Sequence, residues 1–126
     1  IKDDIKKLKE SAVDFDDVEQ WNGSAWTEIA NLNSGRSTNG AAGTTPSAVT
    51  FGGYTPSPAA YVGLTEVWNG SSWTEVADMS TARGEFADAK GGTSGSTLAA
   101  GGEPPRTNAT EEFTAPATST VTFTAS

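Results

Sequence analysis

The sequence contains no cysteine and no histidine, and these two absences exclude most of the familiar chemistry of enzyme sites. Without cysteine there is no disulfide framework, thiol nucleophile or thiolate zinc site. Without histidine the commonest general base and the commonest metal ligand are both missing. No converging pair of carboxylates can be named either, which disfavours a glycosidase. We therefore expect a non-enzymatic protein with no catalytic residue, no metal and no cofactor.

Positive charge and long apolar runs are also scarce. Eight Lys and Arg stand against sixteen Asp and Glu, which gives a net charge of −8. An acidic chain repels phosphate, so we expect no nucleic-acid partner. No apolar stretch approaches the roughly 18 residues of a membrane span, so we expect no membrane insertion. The chain opens on Ile1, and we expect either a processed form or the ordered part of a longer protein.

A repeated segment is the most informative feature that the sequence does contain. Residues 19–29, EQWNGSAWTEI, return 47 positions later as residues 66–76, EVWNGSSWTEV, and an arginine follows each copy, first Arg36 and then Arg83. A period of roughly 45–50 residues built from short β segments is typical of propellers and solenoids, whose units stack to bury a shared core. The sequence therefore predicts an all-β fold.

Each copy of the repeat carries a hairpin signal and is followed by a glycine doublet. Two short alternating runs flank Asn-Gly, which favours a β-hairpin. A small-residue strand then ends at Gly52-Gly53 in one copy and at Gly101-Gly102 in the next. Such a doublet predicts positive φ angles or a close backbone approach. We interpret the four hairpin tryptophans as core between repeats, with an exposed platform for sugar stacking as the alternative: Trp21, Trp26, Trp68 and Trp73.

An acidic residue recurs two positions before each hairpin aromatic, at Glu19, Glu66 and Glu111. Because the position repeats, we expect it to stabilise every unit through an ion pair with Arg36 or Arg83. A buried pair of this kind perturbs both groups without implying catalysis.

The first seventeen residues differ from the rest and predict a short N-terminal amphipathic α-helix over residues 1–17. Its seam has heptad spacing, with apolar residues at Ile1, Ile5, Leu8, Ala12 and Phe15. This seam would pack either against sister helices, as an oligomerisation segment, or against the β domain. Four acidic residues near its end suit Ca²⁺ by ligand type but lack the spacing of a calcium loop, so a solvated helix end is preferred: Asp14, Asp16, Asp17 and Glu19.

The order of these features resembles the kelch repeat: Arg, small-residue strand, Gly-Gly, variable loop, Glu-x-aromatic, turn and Trp. The resemblance covers residues 18–126, as a half-blade hairpin (18–30), a full repeat (31–77) and a degenerate repeat (78–126). It implies about two and a half four-stranded blades of a β-propeller. The version seen here, rich in Ser, Thr and Gly, looks like kelch-type repeats in virion and tail proteins of marine bacteriophages.

That resemblance implies a structural or adhesive component of an extracellular assembly, such as a phage tail or fibre protein in the virion. Propellers close with about four to eight blades. Two and a half blades therefore imply a fragment of a longer propeller, a homo-oligomeric ring, or edges that pair with other chains. The alternative function is a subunit of a cell-surface or extracellular filament, glycosylated or not, that polymerises through its sheet edges.

Binding sites are expected in the loops that do not repeat. Tyr54 and Tyr61 follow the first glycine doublet, and Arg106 follows the second. Tyrosine and arginine are typical of binding hot spots, so these loops predict a surface for a glycan or a receptor. The alternative is that the loops only cap the repeats. Three sequons give candidate glycosylation sites, although Asn-Gly is also ordinary turn chemistry: Asn22, Asn69 and Asn108.

Overall fold

The computed structural model describes residues 15–89 and 91–115 of the chain. The predicted N-terminal helix lies outside these residues except for its last three positions, 15–17, which have no regular secondary structure. The alternating segment at residues 119–124 also lies outside them.

All regular secondary structure in the described residues consists of short antiparallel strands, with no helix, so the predicted all-β class is confirmed. In chain order the strands are β1 (Val18–Trp21), β2 (Trp26–Ile29), β3 (Gly40–Thr44), β4 (Ser47–Phe51), β5 (Tyr54–Pro56), β6 (Ala59–Tyr61), β7 (Thr65–Trp68), β8 (Trp73–Val76), β9 (Ala87–Asp88), β10 (Ser96–Ala100) and β11 (Thr110–Thr114).

These strands form four small sheets within the described residues, and none of the sheets closes on itself. The first hairpin is β1–β2. The main sheet has four strands in the order β3-β4-β7-β8, and the hairpin β5–β6 interrupts it between β4 and β7. The third sheet has the order β11-β10-β9.

The hydrophobic core lies between the main sheet and the third sheet. Val49 and Phe51 of β4 are 0% and 3% exposed, and they cluster with Ala99 of β10. Phe51 stacks on Phe86 with ring centroids 5.7 Å apart and planes inclined by 8°. Small side chains such as Ala42 and Ala99 let the two sheets approach closely, which is why alanine-rich strands serve here as core strands.

The glycine doublets have the positive φ angles that the sequence predicted. Gly52 and Gly53 have φ of 64° and 112°, and Gly101 and Gly102 have 77° and 103°. A Cβ on Gly52 would lie 2.6 Å from the carbonyl oxygen of Arg83, which is closer than a carbon atom can approach. A Cβ on Gly53 or Gly102 would likewise lie 2.6 Å from a backbone carbonyl oxygen, so no residue with a side chain fits at these positions, whereas at Gly101 only the positive φ disfavours one.

The second pair of hairpin tryptophans is packed, as expected for core positions. Trp68 is 6% exposed, and its Nε1 donates to the carbonyl oxygen of Thr45 at 3.0 Å. Trp73 is half-buried, and its Nε1 donates to the carbonyl oxygen of Ala30 at 3.1 Å. Both indole N–H groups thus find backbone partners, as buried tryptophans require.

The core interpretation is wrong for the first pair. Trp21 is 46% exposed and Trp26 is 64% exposed, although they form the same tilted pair, with centroids 5.4 Å apart, as Trp68 and Trp73 do at 5.3 Å. The difference arises from their neighbours. β7 is covered by β4 and by the β3–β4 turn, whereas no described strand other than β2 pairs with β1.

Candidate functional site

The repeated arginine and glutamate positions form the buried ion pairs that the sequence predicted. Arg83 is 0% exposed and reaches across the open end of the third sheet. Its Nη1 donates to the carbonyl oxygens of Gly101 at 2.7 Å and Ala109 at 2.8 Å. Its Nη2 donates to Glu111 Oε2 at 3.0 Å and to the Ala99 carbonyl at 3.5 Å. One side chain therefore joins β10 to β11 and the loop between them.

The preceding unit contains the same pair with looser geometry. Arg36 Nη2 lies 3.4 Å from Glu66 Oε2, and both side chains are almost fully buried. Glu66 also accepts from Asn33, through the backbone N at 2.7 Å and Nδ2 at 2.9 Å, and from the backbone N of Ser34 at 3.4 Å. Among the described residues, the Arg36 guanidinium makes no hydrogen bond. Its contribution to the unit is therefore mainly coulombic.

Burial and pairing shift the pKa of two of these groups. Burial lowers the pKa of Arg36 below its ordinary value, and the negative charges of Glu66 and its acidic neighbours oppose that shift. Burial by itself would raise the pKa of Glu111. Hydrogen bonds from Ser80 and the positive charge of Arg83 outweigh burial and hold the pKa of Glu111 below its ordinary value. These shifts follow from structural ion pairs at repeat positions, so they do not indicate a catalytic site.

The candidate glycosylation residues Asn22 and Asn69 perform a turn function. Asn22 Oδ1 accepts from the backbone N of Ser24 and of Ala25, each at 2.9 Å, and closes the four-residue loop between Trp21 and Trp26. Asn69 accepts equivalent bonds from Ser71 and Ser72. The side-chain oxygen of each asparagine thus replaces a backbone acceptor, which favours the turn interpretation. Asn108 is exposed in the loop between β10 and β11.

The candidate ligand-binding tyrosines face each other across the β5–β6 hairpin. Tyr54 and Tyr61 are directly paired in register, and their rings make an edge-to-face contact with centroids 5.2 Å apart. Both side chains are half-buried. The Tyr61 hydroxyl donates to Glu85 Oε1 at 2.7 Å. This hydrogen bond raises the pKa of Tyr61 above its ordinary value, because Glu85 accepts the phenol proton, and partial burial adds to the rise.

The third candidate, Arg106, reaches the same surface through a chain of contacts. Gly84, next to Glu85, exchanges backbone hydrogen bonds with Glu103, at 2.9 and 3.0 Å. The Glu103 carboxylate then accepts from Arg106 Nε at 3.2 Å, and the Arg106 side chain is 93% exposed. We call this surface the tyrosine face. Its members are Tyr54, Tyr61, Glu85, Glu103 and Arg106.

The sequence analysis did not predict two members of the tyrosine face, Glu85 and Glu103. Each departs from the repeat. Glu85 stands two residues after Arg83, where the preceding unit has Thr38, and both residues have φ of 54°. Glu103 follows the second glycine doublet, where Tyr54 follows the first. The signal that would have found them is a charged residue at a position where the other copy is neutral.

The remaining candidates show no ligand geometry. Within residues 15–89 and 91–115, no three acidic side chains come together as a metal site would require. Asp14, one member of the predicted acidic cluster, lies outside those residues. In the same part of the chain there is no helix of the length and apolarity needed to cross a membrane.

Comparison of the chain with protein-family models finds no match, and comparison with curated proteins finds none either. The likeness to kelch repeats therefore stays a resemblance in sequence.

Proposed function

We propose that this chain is a non-enzymatic binding module of an extracellular assembly, built from kelch-like propeller blades, whose tyrosine face recognises a surface glycan or a receptor. The strand order β3-β4-β7-β8 supports a blade, because a kelch blade is a four-stranded antiparallel sheet. The first hairpin and the third sheet correspond to parts of further blades. A phage tail or fibre is the kind of assembly that the sequence resemblance indicates.

The observation that carries this proposal is a division between repeated and non-repeated residues. The charged residues that recur in each unit, Arg36 with Glu66 and Arg83 with Glu111, are consumed by internal ion pairs. Among the aromatic and charged residues that do not recur, five lie together on the tyrosine face, whereas Phe86 packs on Phe51 in the core and Asp88 accepts from the backbone N of Ala41. A single binding site needs a unique set of side chains, and this surface is where the chain has one.

The chemistry of the tyrosine face suits a carbohydrate. The two tyrosine rings, inclined by 68°, offer an apolar platform for a sugar ring, and the edge-to-face packing holds them in place at little entropic cost. Glu85 and Glu103 provide acceptors for sugar hydroxyls, and Arg106 provides an exposed donor. The two carboxylates outnumber the arginine, so the surface suits a neutral sugar better than an acidic one.

Binding to a panel of cell-surface glycans tests the proposal. Tyr61→Ala should lower the affinity about tenfold or more for the glycan that binds best, since truncating a hot-spot aromatic costs roughly 2 kcal/mol or more. Leu98→Ala is the matched control, because Leu98 is an exposed large apolar residue on a different sheet. Equal loss in both variants, or no loss in Tyr61→Ala, would contradict the assignment of the site.

The same proposal requires repeat units beyond residues 1–126. The described residues contain one four-stranded sheet, one three-stranded sheet and two hairpins, fewer blades than a propeller ring needs. We expect a discrete oligomer, or a larger assembly with other chains, as measured by light scattering after size-exclusion chromatography. A stable monomer at micromolar concentration would refute the ring shared among copies.

A further inference from the structure

The first hairpin is an incomplete unit with an open edge. By its sequence, β1–β2 is the repeat equivalent of β7–β8. In the main sheet, β4 pairs with β7 along its whole length. Among the described residues nothing occupies that position beside β1, which pairs with β2 alone. An unpaired edge of this kind is a template for another strand.

The negative charge of Glu19 on the open edge of β1 indicates that its partner carries an arginine. Glu19 occupies the repeat position of Glu66 and Glu111, each of which pairs with an arginine four residues before the first strand of its own sheet. Glu19 is exposed, and no arginine in the described residues forms an ion pair with it, while the five lysines of the sequence lie outside those residues. The missing element is therefore an arginine followed by two small-residue strands.

A cleft beside this edge has the size and lining for such an element. It has a volume of about 490 Å³ and lies between β1 and the strands β3 and β4 of the main sheet. Its lining is mainly apolar and includes Val18, Ile29, Gly43, Ala48 and Trp68. The equivalent surface of the third sheet, around Ala99, is filled by residues of the strands β3 and β4. A hairpin of the same kind would fill the cleft and cover Trp21.

Residues 1–126 include no spare arginine to complete the unit. They contain only three: Arg36, Arg83 and Arg106. The first two are committed to ion pairs in their own units, and the third belongs to the tyrosine face with Glu103. Residues 1–14 and 116–126 contain none, and a lysine lacks the planar fork of donors with which Arg83 reaches several carbonyl oxygens.

We propose that β1 is a docking edge for an arginine-led β-hairpin of a further repeat unit that lies outside residues 1–126. The incoming strand pairs with β1 as β4 pairs with β7, its arginine pairs with Glu19, and its apolar face fills the cleft. This is strand addition with a charge that fixes the register. The proposal is independent of the tyrosine face. It rests on Glu19, a position that recurs in every unit, whereas the residues of the tyrosine face do not recur.

The chain supplies a probe for the experiment. A synthetic peptide with the sequence of residues 34–53 carries Arg36, the strands β3 and β4, and the glycine doublet. Titrated into the 126-residue protein, it should bind with one-to-one stoichiometry and slow the hydrogen exchange of the β1 amides. Glu19→Gln in the protein, or Arg36→Ala in the peptide, should each weaken binding at least tenfold. Combining the two changes should cost little more than either, because both remove the same pair.

Glu112→Gln is the matched control, because it removes one exposed carboxylate from the third sheet and should leave binding unchanged. An isolated hairpin pays an entropic cost to fold, so a second format joins the peptide to the N-terminus through a flexible linker. This fusion should melt at a higher temperature than the fusion with Arg36→Ala. If neither format protects β1, or if Glu19→Gln changes nothing, the proposal is wrong. A peptide-independent dimer unaffected by Glu19→Gln would also overturn it.

Discussion

Replacing Arg83 by methionine is expected to be the most destabilising single change in the third sheet. The side chain is 0% exposed and makes four hydrogen bonds, two of them at 2.7 and 2.8 Å to backbone carbonyl oxygens. Methionine keeps much of the volume and removes every donor. Breaking a buried ion pair by removing one partner costs about 3–5 kcal/mol, because the other charge and the freed acceptors stay buried. Arg83→Met should lose that amount, a large part of the total stability of a small domain.

Arg36→Met is the matched control for the loss of unfolding free energy in Arg83→Met. Arg36 occupies the same repeat position and is equally buried, but it donates no hydrogen bond among the described residues and approaches Glu66 only to 3.4 Å. Glu66 also keeps three N–H donors after the change. We expect a smaller loss than at Arg83, near the lower end of the roughly 3–5 kcal/mol that breaking a buried pair costs, because those donors still stabilise the charge left on Glu66.

Urea unfolding, followed by tryptophan fluorescence and circular dichroism, measures both losses. Urea is preferred because guanidinium is a salt and screens ion pairs. Coincident transitions and an unchanged m-value are needed before the free energies are compared. If Arg83→Met does not fold, Arg83→Lys retains the charge without the fork of donors and should show an intermediate loss. Equal losses at Arg83 and Arg36 would refute the reasoning that the hydrogen bonds distinguish the two units.

Three further predictions follow from the same comparison of units. Trp68→Ala should cost about 3–5 kcal/mol in urea unfolding and Trp21→Ala less than half as much, since only the former is buried; equal costs would show that the first hairpin is covered in solution. Gly52→Ala should lose more than about 1 kcal/mol, because its φ of 64° and a 2.6 Å backbone contact both oppose a Cβ. Gly91→Ala, at an open position, should change the thermal midpoint little. The pKa of Glu111 is lowered in the fold, so its contribution to stability is complete above the ordinary value of about 4.5 and is lost as the pH falls below it. Stability measured from pH 7 to 3 should therefore fall more steeply in the wild type than in Glu111→Gln, and parallel curves would contradict the lowered pKa.

Sequence patterns predicted those features of the fold that occur twice. The all-β class, the positive φ of the glycine doublets and the pairing of Arg36 with Glu66 all follow from residue types that recur at a fixed distance. Recurrence is informative because two copies of one unit solve the same local problem with the same residues.

What the sequence could not predict depends on neighbours outside the repeated unit. Trp21 has the same local sequence as Trp68 and the opposite environment, because burial is set by whether another strand lies alongside. Glu85 and Glu103 were missed for a related reason. Each differs from its counterpart in the other copy, and only the folded chain shows that these two departures meet on one surface.

The same logic separates the two proposals made for this molecule. A residue that recurs in every unit serves contacts that every unit makes, so a member of such a set that has no ion pair among the described residues, like Glu19, supports the proposal of a missing unit. A residue that departs from the repeat serves a contact made once, so a cluster of departures, like the tyrosine face, indicates a ligand. Changing Glu19 should therefore affect assembly and leave glycan binding intact, while changing Tyr61 should do the reverse. Loss of both functions from either change would mean that the two surfaces are coupled through the core, against the independence that their positions imply.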